Sequence, residues 1–105
     1  MHRSIEWAAG LFEAEGCMTW RDKEHKRPYL KLNMTDFDVV QKFAEIVNCG
    51  SLTSVDKKKS NWKDQLLWRT TNRKDVIRIL NAFLPYFGNR RAYKALNILD
   101  SLELV

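Results

Sequence analysis

The sequence predicts an α+β fold in which helices cover one face of an antiparallel sheet. Three observations point there. Apolar residues recur with a helical period in some stretches and alternate strictly in others. The two kinds of stretch follow one another as helix, strand, strand, helix, strand, strand, helix, helix. The chain has 105 residues, which supports one core, so residues 1–105 read as a single domain.

Ser4 can cap a helix that begins near Ile5, and residues 5–15 read Ile-Glu-Trp-Ala-Ala-Gly-Leu-Phe-Glu-Ala-Glu. Gly16 is placed to end it in a left-handed conformation. From Cys17 the period changes. Met18 and Trp20 alternate with Thr19, Arg21, Lys23 and His25, a strand with one wet face. Arg27-Pro28 marks a turn. Leu30, Leu32 and Met34 then share one face of a second strand, with Tyr29, Lys31 and Asn33 on the other.

Thr35-x-x-Asp38 resembles a capping box opening a helix to about Asn48, with Phe37, Val40, Phe43, Ala44 and Val47 along one stripe. Cys49-Gly50 stops it. Strands follow near 51–56 and 65–71, joined by the lysine-rich stretch from Asp56 to Asp64. Asn72-x-x-Asp75 opens a third helix, with Val76, Ile79, Leu80 and Phe83 inward and Pro85 at its end. A last helix runs from about Asn89 to Leu102. Met18, Trp20, Leu30, Leu32, Leu52 and Trp68 are expected in the core. Asp38-Val39-Val40 and Asp75-Val76-Ile77 occupy matching places, a faint echo of two strand–strand–helix units.

Hydrophobic residues make up 45% and charged residues 30%, a globular composition without a disorder signature. The formal net charge of +5 favours a polyanionic partner. Cys17 and Cys49 make no zinc spacing with each other or with His2 and His25. Two reduced thiols are the simpler reading, with a Cys17–Cys49 disulfide left open. The longest apolar run, Trp7 to Phe12, meets Glu13 at once and is too short to span a bilayer, so no membrane partner is expected. An intracellular, non-secreted location is the expectation.

The first helix carries the most information. Ala9, Gly10 and Ala14 have little or no side chain, and Gly10 and Ala14 stand four apart on one face. Glycine within a helix costs ~1 kcal/mol relative to alanine, so Gly10 needs a reason, and close approach of a second helix supplies one. Glu13 and Glu15 stand at the C-terminal end. Carboxylates there oppose the helix dipole at ~0.3–1 kcal/mol each, which points to a function.

The segment Ala8 to Gly16 resembles the motif that names the LAGLIDADG homing endonucleases. Ala9, Gly10, Leu11, Ala14 and Gly16 match by identity; Glu13 and Glu15 replace the two aspartates; Ala8 and Phe12 are looser matches. The order of elements is also the family's, as are Asn33-Met34-Thr35-Asp36 after the second strand, Trp68-Arg69 in the fourth and Leu84-Pro85-Tyr86-Phe87 before the last helix.

The resemblance implies an αββαββα-type fold whose concave antiparallel sheet, covered by helices, lies over double-stranded DNA. One motif per chain implies a homodimer joined through Trp7, Gly10, Leu11, Glu13 and Ala14. It implies that Glu15 holds Mg²⁺ and that Asp36 and Arg90 support a double-strand cut. Asp36 stands where glutamine is common, and Arg90 replaces lysine, keeping charge but changing shape; Arg91 and Lys42 are neighbouring alternatives.

A two-stranded ribbon fits the major groove. Base-reading candidates by alternation are Thr19, Arg21, Lys23, His25, Tyr29, Lys31, Asn33, Ser51, Thr53, Gln65, Leu67, Arg69 and Thr71. Lys57, Lys58 and Lys59 suit phosphate contacts. The rival reading is a non-cleaving DNA- or RNA-binding relative, such as a maturase, on the same fold.

Overall fold

The first helix, α1 (Ile5–Glu15), buries Ala8, Ala9 and Phe12 and then hands the chain straight to a strand. A computed structural model describes residues 5–55 and 64–103 of the chain. Lys57, Lys58, Lys59 and the capping residue Ser4 lie outside the described residues.

Gly16 closes α1 differently from the sequence expectation. Its N–H donates to the Phe12 carbonyl at 2.8 Å, but its φ is not positive. Glycine is required there for space. A Cβ would stand 2.3 Å from the Phe12 ring, which is wholly buried.

After Gly16 come β1 (Cys17–Asp22) and β2 (Arg27–Met34), an antiparallel hairpin. β1 has a bulge between Trp20 and Asp22 and ends there, so Lys23 and His25 sit in the turn, not on the strand. The turn is closed by Asp22, whose Oδ1 accepts from the His25 backbone N–H at 3.2 Å and whose Oδ2 lies 2.7 Å from His25 Nδ1.

Next is α2 (Phe37–Val47), with Val40, Phe43 and Val47 inward. Its N-cap is Asp36, which makes no side-chain capping bond, so the expected Thr35 box is not what starts the helix. Its stop is Asn48, left-handed at φ 56°, one residue before the expected Cys49-Gly50. Gly50 follows at φ 87° under the Trp68 indole, where a Cβ would come within 2.5 Å.

β3 (Ser51–Val55) and β4 (Gln65–Thr70) form the second antiparallel pair. α3 (Arg73–Phe83) begins at Asn72, whose side chain accepts from the Asp75 N–H, as the sequence predicted. Pro85 sits in a 3₁₀ turn (Leu84–Tyr86) that leads to α4 (Asn89–Glu103).

The sheet order is β1-β2-β4-β3, so the two pairs lie side by side with β2 against β4 at the centre. Met18, Leu30, Leu32, Leu66 and Trp68 face the helices and are buried. Phe12 packs between Phe43, Phe83 and Phe87, with ring centroids 5.8–6.4 Å apart, joining α1, α2 and α3 in one cluster. Leu52 departs from expectation. It lies on the edge strand β3 and is 44% exposed.

Candidate nucleic-acid interface and acidic site

The face of the sheet away from the helices is polar by construction, because alternate residues of each strand must point there. The pairing register places Cys17, Lys31, Arg69 and Ser51 in one row across all four strands. Asn33, Leu67 and Thr53 form a second row, and Thr19 pairs with Tyr29 beyond Lys31. Arg69, Ser51, Thr53 and Arg21 are exposed; Thr19, Tyr29, Lys31, Asn33, Gln65 and Leu67 are half-buried by their neighbours. Thr71 is exposed just after the end of β4.

Two contacts hold this face in order. The Arg21 guanidinium lies 5.9 Å over the Tyr29 ring. Asn33 Nδ2 donates to Gln65 Oε1 at 2.6 Å, which leaves the Asn33 oxygen and the Gln65 amide nitrogen for another partner. The strands put four cations on this face, Arg21, Arg27, Lys31 and Arg69, against one carboxylate, Asp22, which pairs with Arg27 past the bulge and binds His25. Val55 and Cys17 also belong to it, and plain alternation would have found both. His25 serves the turn: its bond to the Asp22 carboxylate holds that group below the usual carboxylate range.

At one end of the sheet, α1 delivers its two acids to different surroundings. Glu13 is half-buried, and its Oε1 accepts from the Gly88 N–H at 2.6 Å. It therefore ties α1 to the start of α4, satisfying a backbone donor that the helix itself leaves free. Glu15 is exposed as the last residue of α1. The neighbouring Gly16 carbonyl accepts from Arg91 Nη1 at 3.0 Å. A guanidinium at the C-terminal end of α1 offsets the dipole that would otherwise oppose a carboxylate there.

Arg90, Arg91 and Lys94 of α4 line a concavity of about 180 Å³ together with Gly16, Cys17 and Met18. Arg90 thus stands beside the end of α1. Asp36 is exposed at the start of α2, two residues after β2 ends. Because Cys17 pairs with Lys31, that end of β2 lies at the same end of the sheet as Gly16. Lys42 is elsewhere: its ammonium sits 5.6 Å over the Trp7 ring.

Among the described residues, no three His, Cys, Asp or Glu side chains come together to hold a metal. One exposed carboxylate suits a divalent ion completed from outside the chain, by a second carboxylate, phosphate oxygens and water.

The outer face of α1 is open. Trp7, Gly10, Leu11 and Ala14 stand at i, i+3, i+4 and i+7 and form one stripe. Gly10 and Ala14 are exposed, and a Cβ on Gly10 would meet nothing within 4 Å.

This architecture is the fold of the LAGLIDADG homing endonucleases. The chain is similar to I-CeuI complexed with DNA, at a TM-score of 0.71 and 18% identity, covering 99% of this chain and 56% of that one. It is similar to I-CvuI in complex with the I-CreI target, at 0.69 and 18%, covering 94% of this chain and 65% of that one. I-TnaI, another homing endonuclease, superposes at 0.70 with 16% identity, covering 97% and 73%. The chain thus spans about 65% of the length of I-CvuI. No family model and no curated protein matches the sequence. No helix of the described residues is long and apolar enough to cross a membrane.

Proposed function

We propose that this chain is a LAGLIDADG homing endonuclease that cuts both strands of a specific DNA site as a homodimer with Mg²⁺. The observation that carries the reading is the end of α1. An uncovered small-residue stripe and an exposed terminal carboxylate sit together beside a cationic sheet face. The superposed proteins are themselves homing endonucleases, I-CeuI being complexed with DNA and I-CvuI being crystallised with Mg and with Ca.

Each part has a role. Two stripes meeting across a twofold axis bring two α1 helices close, and two Glu15 carboxylates with them. The two Glu15 carboxylates would hold Mg²⁺, which when bound would supply Lewis acidity to activate water and steady charge on the phosphate. The water oxygen bonds to phosphorus as a P–O bond to the sugar breaks, leaving one hydroxyl end and one phosphate end. Arg90 adds positive charge beside the reacting phosphate, and Asp36 orients water from the β2 end. Arg69, Lys31, Asn33 and Gln65 read base edges, while Lys57, Lys58 and Lys59 contact phosphates.

The test is selection of cut fragments from a random-sequence duplex library. Recovery of one long, near-palindromic site in Mg²⁺ but not in Ca²⁺ is expected. A protein that enriches one bound site and never cuts it would instead be a non-cleaving binding module.

A further inference from the structure

The cavity between α4 and the α1–β1 corner has a chemistry of its own. Its walls are Gly16, Cys17, Met18, Arg90, Arg91 and Lys94, so three of six lining residues are cations and none is an acid. Its volume of about 180 Å³ is more than a single water needs. Arg91 spends Nη1 on the Gly16 carbonyl. Its Nε is buried and, among the described residues, is the side-chain nitrogen or oxygen left without a hydrogen-bond partner. A buried guanidinium donor without a partner is a standing loss that a bound acceptor would remove. Arg90 and Arg91 also lie in the first turn of α4, where the helix dipole adds positive potential.

The geometry points to a phosphate-binding pocket that takes a backbone phosphate of the nucleic acid, adjacent to the one facing Glu15 and sharing Arg90 with it. This rests on the proposed function for the identity of the ligand. The pocket itself rests only on the cavity and its donors. The Arg90 and Arg91 guanidiniums supply planar donors suited to a phosphate, an acceptor reaching in to Arg91 Nε would satisfy that buried donor, and Lys94 adds a point charge. Arg91 would then join the pocket to Glu15, because the same side chain holds the end of α1.

The experiment is NMR on the ¹⁵N-labelled full chain, following the Arg91 Nε–Hε signal and the amides of residues 16–18 and 90–94. Inorganic phosphate is titrated against chloride at constant ionic strength, and a duplex oligonucleotide is added separately. Saturable shifts confined to these signals with phosphate, absent with chloride, are expected. Lys94→Gln, an exposed position, should weaken them about three- to tenfold without altering the rest of the spectrum. The duplex should shift the same signals and block the response to phosphate. Phosphate shifts no different from chloride would overturn the pocket. A duplex that moves the sheet residues but leaves the pocket open to phosphate would overturn the nucleic-acid source. A duplex that moves no signal, with phosphate still saturating the pocket, would overturn that source and the proposed function, but not the anion site.

Discussion

Gly16 and Glu13 show how few atoms decide this site. A methyl at Gly16 would strike the Phe12 ring at 2.3 Å, in the most crowded part of the core. Gly16→Ala should therefore lose about 1–3 kcal/mol of stability in urea unfolding. A loss below ~0.5 kcal/mol would mean that the ring moves aside freely. Glu13→Gln keeps the shape but trades a charged acceptor for a neutral one at the Gly88 N–H. Because that bond is partly solvated, a loss of ~1 kcal/mol is expected, with DNA cutting retained. Glu13 was legible as a helix-end residue. Its link to Gly88 spans 75 positions and has no local signature. Arg91 was readable only as one of two adjacent arginines, since nothing nearby in sequence announces the Gly16 carbonyl it holds.

At the scale of elements, periodicity carried most of the fold. The bounds of α1 and the Asn72 cap follow from the sequence because the causes are local: a change of period after Glu15, and an Asn three residues before an exposed N–H. Leu52 and the Lys23–His25 turn depart from the alternation because their causes are not local. Leu52 alternates like a core residue, but only the sheet order reveals that β3 is an edge. β1 ends early at a bulge that alternation does not record. The stripe on α1 gives the prediction at this scale. Gly10 is exposed with open space around it, so Gly10→Leu should leave the single chain as stable or up to ~1 kcal/mol more so. It should nonetheless prevent two chains from sedimenting together on DNA. A Leu variant that still pairs would move the dimer seam elsewhere. On the sheet, Arg69→Ala should relax preference at particular bases by roughly 1–3 kcal/mol, measured by competition between single-base variants of the site.

The whole molecule is a basic slab, with a net charge of +5, helices on one side and cationic strands on the other. Affinity for DNA should fall steeply with salt as phosphates release their counterions. Replacing Lys58 and Lys59 should weaken binding to all sequences about equally and flatten the slope of log affinity against log salt by up to ~2. A change in sequence preference instead would make these lysines readers. The claim that joins the scales is that two copies of this fold place two Glu15 carboxylates at the cut. Its most direct test measures binding and cutting together, on the selected site, for wild type and Glu15→Gln, in Mg²⁺ and in Ca²⁺. The account predicts that the wild type cuts in Mg²⁺ only, while Glu15→Gln binds at least as tightly and cuts in neither. Full cutting by Glu15→Gln in Mg²⁺ would contradict it.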